Sequence, residues 1–176
     1  MPKRRGLIQV YTGSGKGKTT AAWGQALRAV GRGWKVAVVQ FLKPDESGEV
    51  KAAGRLSANL DVFGRTSPYD PRVDQRGSVT LRSESRRNLE TAERLILSGE
   101  YDMVVLDEVN MVLHYGFVAE DEMLDLFRKR PAHTEIVLTG RYAPEWLIES
   151  ADLVTEMVEI KHPARVGLKA RKGVEY

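Results

Sequence analysis

The chain has no cysteine. That excludes disulfides, thiolate metal ligands and a cysteine nucleophile. No apolar run is long enough to cross a bilayer as a helix. The basic start, Met1-Pro2-Lys3-Arg4-Arg5, is not followed by a signal-peptide core. Excess charge is also missing: the formal net charge is +3. That is too small for a nucleic-acid footprint, though it leaves an anionic small molecule open. There is no internal repeat and no low-complexity segment. What remains is an ordinary globular composition, 42% hydrophobic and 29% charged. At 176 residues it can bury a core without disulfides or metal. The expectation is one domain over 1–176, cytoplasmic, with a flexible basic N-terminus (about 1–5) and a basic C-terminal tail (about 161–176).

One stretch organises the rest: Thr12-Gly13-Ser14-Gly15-Lys16-Gly17-Lys18-Thr19-Thr20. An apolar run, Leu7 to Tyr11, precedes it. A helical pattern follows, with Trp23, Leu27 and Val30 spaced i, i+4, i+7. Strand, glycine-rich turn, helix is the context of a phosphate-binding loop, the Walker A motif. The glycines let the backbone wrap an anion and turn successive N–H groups inward. The new helix adds its unpaired N–H groups and the positive end of its dipole. Lys18 supplies a cation for the terminal phosphates, and Thr19 a hydroxyl for Mg²⁺. The usual pattern opens with Gly, and here Thr12 stands in that place. A plain glycine-rich turn would have no use for Lys16 and Lys18 at a helix N-terminus, where cations are disfavoured.

Further along, strand and helix patterns alternate. Strands are expected at 35–41, 60–63, 101–108, 134–139 and 152–160. Helices are expected at about 18–30, 46–56, 81–97, 120–129 and 144–150. Such alternation implies an α/β, P-loop NTPase-like (RecA-like) domain, with a parallel sheet of about six strands and helices on both faces. The stretch 64–77, with two prolines and two glycines, reads as a long loop, either a substrate lid or a plain connection.

The second chemical landmark is Tyr101 to Glu108. A buried strand delivers Asp107 and Glu108 at its C-terminal end, the edge where ligands bind in open α/β sheets. An acid there is the usual second anchor for the Mg²⁺ of a nucleotide. Arg141, just after the strand 134–139, belongs to the same edge, where a guanidinium suits phosphate oxygens. Arg28 and Gln40 lie near that edge or helix face without a role of their own. No two of His114, His133 and His162 have metal-ligand spacing, so surface or cap roles are expected. Residue chemistry alone leaves two classes open: an ATPase or nucleotide-dependent switch in which Glu108 polarises water, and a transferase that uses ATP as a substrate.

The run Thr12 to Ala22 resembles the phosphate loop of the P-loop corrinoid adenosyltransferases, which also place Thr first and a second Lys at Lys16. Val38 to Phe41, Val104 to Val109, Arg130-Pro131, Leu138 to Arg141, Ala151 to Met157 and Lys161-His162-Pro163 are similar to the same family, as are Gly167, Lys169, Ala170, Lys172, Gly173 and Tyr176. The likeness covers nearly the whole chain in order. It implies transfer of the 5′-deoxyadenosyl group of ATP to the Co(I) centre of a corrinoid, with loss of triphosphate. It further implies Lys16 and Lys18 on phosphates, Thr19 and Glu108 (with Asp107) on Mg²⁺, and Arg28 and Gln40 near substrates. The partners implied are ATP, a reduced corrinoid, a flavin-type reductant protein and a second copy in a homodimer. One segment departs. Where the family commonly has Gly-Phe-Thr-Trp, with aromatics against the corrinoid's lower face, this chain has Gly64-Arg65-Thr66-Ser67. The expectation is an incomplete corrinoid as substrate, or replacement of those rings by Phe63 and Tyr69.

Overall fold

A strand that must be covered on both faces needs apolar side chains at nearly every position. Three strands here meet that demand in full: β2 (Val36–Gln40), β4 (Met103–Asp107) and β5 (Glu135–Thr139) are buried at every residue. A computed structural model describes residues 5–43, 47–56, 59–64 and 78–174. Within them, β1 (Ile8–Thr12), β3 (Leu60–Phe63) and β6 (Leu153–Glu156) complete a six-stranded sheet in the order β3-β2-β4-β5-β1-β6. Every pairing is parallel. The phosphate-loop strand β1 and the acid-bearing strand β4 are therefore not neighbours; β5 lies between them.

Helices cover both faces. On one, α1 (Lys18–Val30) and α2 (Gly48–Leu56) pack over Val36, Val38, Met103, Val105 and Val137. On the other lie α3 (Val79–Leu97), α4 (Val109–His114), α5 (Glu120–Lys129) and α6 (Glu145–Ser150). Their core joins Leu89, Ile96, Met123 and Leu147 to Val10, Val39, Leu106 and Leu138 of the sheet. The helix α3 starts under a serine cap: the Ser78 hydroxyl accepts from the Leu81 amide at 3.2 Å. Its expected stripe, Leu89, Ala92 and Ile96, is buried.

Two local expectations are corrected. The fully packed face of α1 is Ala22, Ala26 and Ala29; Trp23 and Val30 pack partly against the same core, and Leu27 does not. Leu27 is 52% exposed, whereas Ala22 and Ala26 are fully buried. Small side chains let this helix lie close to the strands, and the larger residues flank the contact. The short helix α4 has no counterpart in the periodicity reading, because six residues are too few to repeat a pattern. The final strand also ends earlier than expected, at Glu156. The stretch 64–77 lies outside the described residues apart from Gly64.

Candidate nucleotide site

The C-terminal ends of β1, β2, β4 and β5 meet at one edge of the sheet. A cavity of about 650 Å³ opens there, lined by Ser14 to Thr20, Lys43, the first turns of α2, Glu108, Arg141, His162, Gly173 and Val174. The loop that forms its floor bends at two glycines with positive φ, Gly13 (98°) and Gly17 (117°). Gly17 is the residue from which α1 starts. Gly15 is required for a different reason. A Cβ there would stand 2.7 Å from the Met157 carbonyl oxygen. The chain leaving β6 crosses the loop at that point: the Gly15 amide donates to Met157 O at 2.6 Å, and the Met157 amide to Thr12 O at 2.9 Å. The Glu159 amide donates to the Ser14 hydroxyl at 3.4 Å, and Lys16 Nζ reaches Val174 O at 3.0 Å. From the expected C-terminal tail, His162, Gly173 and Val174 line the cavity.

Lys18 is buried, with 7% exposure. Its ammonium folds back onto the loop and donates to the carbonyls of Gly13 (2.8 Å) and Gly15 (2.6 Å). Burial lowers its pKa; nearby Glu108 opposes that, and Arg141 and Lys43 add to it. The lysine is thus held at the centre of the glycine-rich loop with its charge poorly solvated.

The acidic side is more densely wired. Asp107 is fully buried. Its Oδ1 accepts from the hydroxyls of Thr139 (2.6 Å) and Thr19 (2.9 Å), and its Oδ2 takes Lys43 Nζ at 2.6 Å. Lys43 also donates to Thr19 Oγ1 at 2.7 Å. Thr139 accepts in turn from the Glu108 amide at 2.9 Å. Glu108 itself sits at φ 65°, a left-handed conformation unusual outside glycine. That bend directs the chain from β4 into α4 and leaves the carboxyl on the cavity wall. Burial raises its pKa first, Asp107 second; Lys43, Lys18 and Arg141 pull the other way. Asn110 closes the corner by donating to the carbonyls of Gly140 (3.0 Å) and Tyr11 (3.3 Å).

Of the residues expected at the site, Ser14 to Thr20, Glu108 and Arg141 line the cavity, with Asp107 directly behind Thr19. Thr12 and Gly13 do not line it; the Thr12 hydroxyl accepts from the Ala143 amide at 3.2 Å. Gln40 ends β2 beside Asp107 in register. It is buried, and its side-chain nitrogen has no hydrogen-bond partner. Arg28 is not at this edge. It stands in the last turn of α1, about 15 Å along the axis from Lys18. Lys43, Thr139 and Asn110 were not foreseen. The signal for Lys43 was available, because the rule that picks Arg141 just beyond β5 applies equally beyond β2. As expected, two histidines serve as caps: His133 lies 3.2 Å from Gly99 O, and His162 accepts from the Ala164 amide.

Residues 4–176 match the family model described as ATP:corrinoid adenosyltransferase BtuR/CobO/CobP. The chain belongs to that family. The corrinoid adenosyltransferase of Pseudomonas aeruginosa is 38% identical over 181 residues, which cover 98% of this chain and 84% of that protein. The corrinoid adenosyltransferase of Escherichia coli K12 is 36% identical, covering 98% and 86%. Corrinoid adenosyltransferase CobA of Salmonella typhimurium is 33% identical, covering 99% and 87%. The chain is thus an enzyme of ATP-dependent corrinoid adenosylation, a step consistent with cobalamin biosynthesis. Among solved structures, flagellar accessory protein FlaH of Methanocaldococcus jannaschii superposes with a TM-score of 0.58 over 87% of this chain and 71% of that one. At 15% identity this is a likeness of fold alone, and the fold is P-loop NTPase-like. Among the described residues of this adenosyltransferase, no helix is long and apolar enough to cross a membrane.

Proposed function

We propose that the cavity above the phosphate loop is where this adenosyltransferase holds the triphosphate of ATP. The carrying observation is convergence: the glycine loop, Lys18, Thr19 and Arg141 line one cavity, and Asp107 stands directly behind Thr19. In the reaction the Co(I) electron pair attacks C5′ of ATP. A cobalt–carbon bond forms, the C5′–oxygen bond breaks, and its electrons leave with triphosphate. No proton moves in that exchange, so no side chain need act as a base. The protein's work is to position the two reactants and to stabilise negative charge on the departing triphosphate. Lys18 leaves its loop carbonyls for the phosphates; Lys16 and Arg141 supply further cations at the rim.

The site fits Mg²⁺. That ion takes one or two carboxylates, a hydroxyl, phosphate oxygens and retained water, rather than a cage of protein ligands. Thr19 and Asp107 offer such a pair, and no group of three or more metal-ligating side chains occurs among the described residues. Bound there with ATP, Mg²⁺ would offset charge on the leaving group. Glu108, half-buried on the same wall, is placed to order its water shell. Gln40, with an unpartnered buried amide nitrogen, is a candidate substrate contact.

Corrinoid contact is assigned, from the sequence, to the stretch 64–77, with Tyr69 as the replacement ring; both lie outside the described residues except for Gly64. Phe63, at the end of β3, packs partly into the core. A separate, flavin-type reductant protein, as the family resemblance implies, would supply the corrinoid in its Co(I) state. Exposed apolar side chains on the edge strand β6, Leu153 and Val154, and on α6, Ile148, support the homodimer, which sedimentation would check.

The assignment is tested by calorimetric titration of Lys18→Ala with Mg-ATP. A charge-assisted contact is worth about 1.5–3 kcal/mol, or roughly one to two decades in Kd. The fold should survive, because an ionised lysine whose pKa is lowered by burial costs stability below that pKa. Unchanged affinity in the folded variant would refute the loop assignment.

A further inference from the structure

A fully buried carboxylate needs a counter-charge even when no substrate is present. Asp107 has one inside the chain. Lys43 Nζ lies 2.6 Å from its Oδ2 and 2.7 Å from Thr19 Oγ1. The ammonium therefore stands between the two groups assigned above to Mg²⁺, and the inference rests on that reading. Its position is built rather than incidental. The residue before it, Leu42, is buried and holds φ at 52°. A bulky residue in the left-handed region costs energy, and here the bend immediately precedes the lysine that reaches the end of β4.

An ammonium at hydrogen-bond distance from both oxygens and a Mg²⁺ at about 2.0–2.1 Å from them cannot share the place. Both are cations, and both need the same lone pairs. We propose that Lys43 is an internal stand-in cation. In the metal-free enzyme it neutralises Asp107 and keeps Thr19 aimed at it. When Mg-ATP enters, the ammonium swings off the acid and onto a phosphate oxygen, within reach of its four-carbon stem. Nucleotide-free Mg²⁺ must displace the Lys43 ammonium from Asp107 and Thr19 without bringing a phosphate oxygen in exchange. Metal with triphosphate supplies the new partner. The consequence is a metal site that loads with nucleotide and stays closed to bare divalent ions.

Two measurements test this. Manganese binding without nucleotide, followed by electron paramagnetic resonance, should be at least about tenfold tighter in Lys43→Met than in wild type, and the gap should shrink when ATP is added. Equal or weaker Mn²⁺ binding by the folded variant would overturn the proposal. A crystal structure of the wild-type protein with Mg²⁺ and a non-hydrolysable ATP analogue covers the case in which Lys43→Met does not fold. It should show Lys43 Nζ detached from Asp107 and against a phosphate. Metal bound at Asp107 with Lys43 still paired there would refute the stand-in role and leave the metal assignment intact. Analogue bound with no metal at Thr19 and Asp107 would refute that assignment and the inference with it.

Discussion

The phosphate loop and the acidic cluster meet at Thr19 on one side of the cavity, yet they are built in opposite ways. The loop is a run of nine consecutive residues, shaped by its own glycines and the helix that follows. The cluster draws Thr19, Lys43, Asp107 and Thr139 from four separate segments, joined by bonds of 2.6 to 2.9 Å. The loop holds a buried cation that its surroundings disfavour, ready to be given to a ligand. The cluster is already satisfied. Removing part of the loop should therefore cost binding with little loss of stability, whereas removing part of the cluster should cost both.

The hardest test of that contrast is Asp107→Ala. It leaves Lys43 without its carboxylate and two threonine hydroxyls without their acceptor. Breaking a buried pair costs about 3–5 kcal/mol; with the lysine partly exposed, the lower end is expected, about 6–12 °C in Tm at 2–4 °C per kcal/mol. Calorimetric melting of this variant beside Lys18→Ala checks it. Equal melting temperatures for the two would erase the distinction.

Thr139→Val keeps the shape and removes one hydroxyl. Asp107 loses a donor, and the Glu108 amide loses its acceptor. An unsatisfied buried group costs about 1–3 kcal/mol. Denaturant unfolding should show that loss, together with weaker Mg²⁺ dependence of ATP binding.

Gly15→Ala sharpens the comparison from the other side. Its new methyl would meet the Met157 carbonyl, so the segment leaving β6 must move. Strain of this kind costs about 1–3 kcal/mol. Hydrogen exchange should show faster exchange at the Met157 amide than in wild type. If protection is unchanged there, the crossing segment does not brace the loop.

The smallest effect is expected at Glu108→Gln, where its sign matters more than its size. Burial and Asp107 raise the Glu108 pKa in the folded protein. Below the ordinary carboxylate range the group is protonated in both folded and unfolded states and contributes nothing. As pH rises through the raised folded value, keeping it ionised costs stability. The variant should match wild type in acid and melt a few degrees higher at neutral pH, about 2–4 °C per kcal/mol relieved. Mg²⁺-dependent turnover should fall without a new ATPase activity appearing. A variant less stable than wild type at neutral pH would contradict the burial argument.

What could be read from the sequence follows the same divide. The loop, its helix and the strand ending in Asp107-Glu108 were legible because each depends on neighbours in the chain. The pairing of Asp107 with Thr139 was not, since it follows from β5 lying between β4 and β1, which no local pattern states. Lys43 is hidden for a related reason: one lysine after a strand means little until the strand's end is known to reach the loop. On α1 the periodic signal of Trp23, Leu27 and Val30 holds in part, since Trp23 and Val30 pack against the core, while close packing on the sheet selects Ala22, Ala26 and Ala29. The cavity-lining role of the basic tail 161–176 leaves no trace in side-chain pattern, because its bond to the loop runs through a backbone group, Val174 O; the same holds for Met157 O and N, just beyond β6.

Both halves of the site serve one claim, that triphosphate leaves whole and no water is activated. Product analysis tests it most directly. The purified protein, with Mg-ATP and a chemically reduced corrinoid, should release inorganic triphosphate in step with the formation of the cobalt–carbon bond, and should release neither triphosphate nor phosphate when the corrinoid is left out. Steady phosphate release from ATP without corrinoid, abolished in Glu108→Gln, would contradict the account and mark the cavity as that of an ATPase.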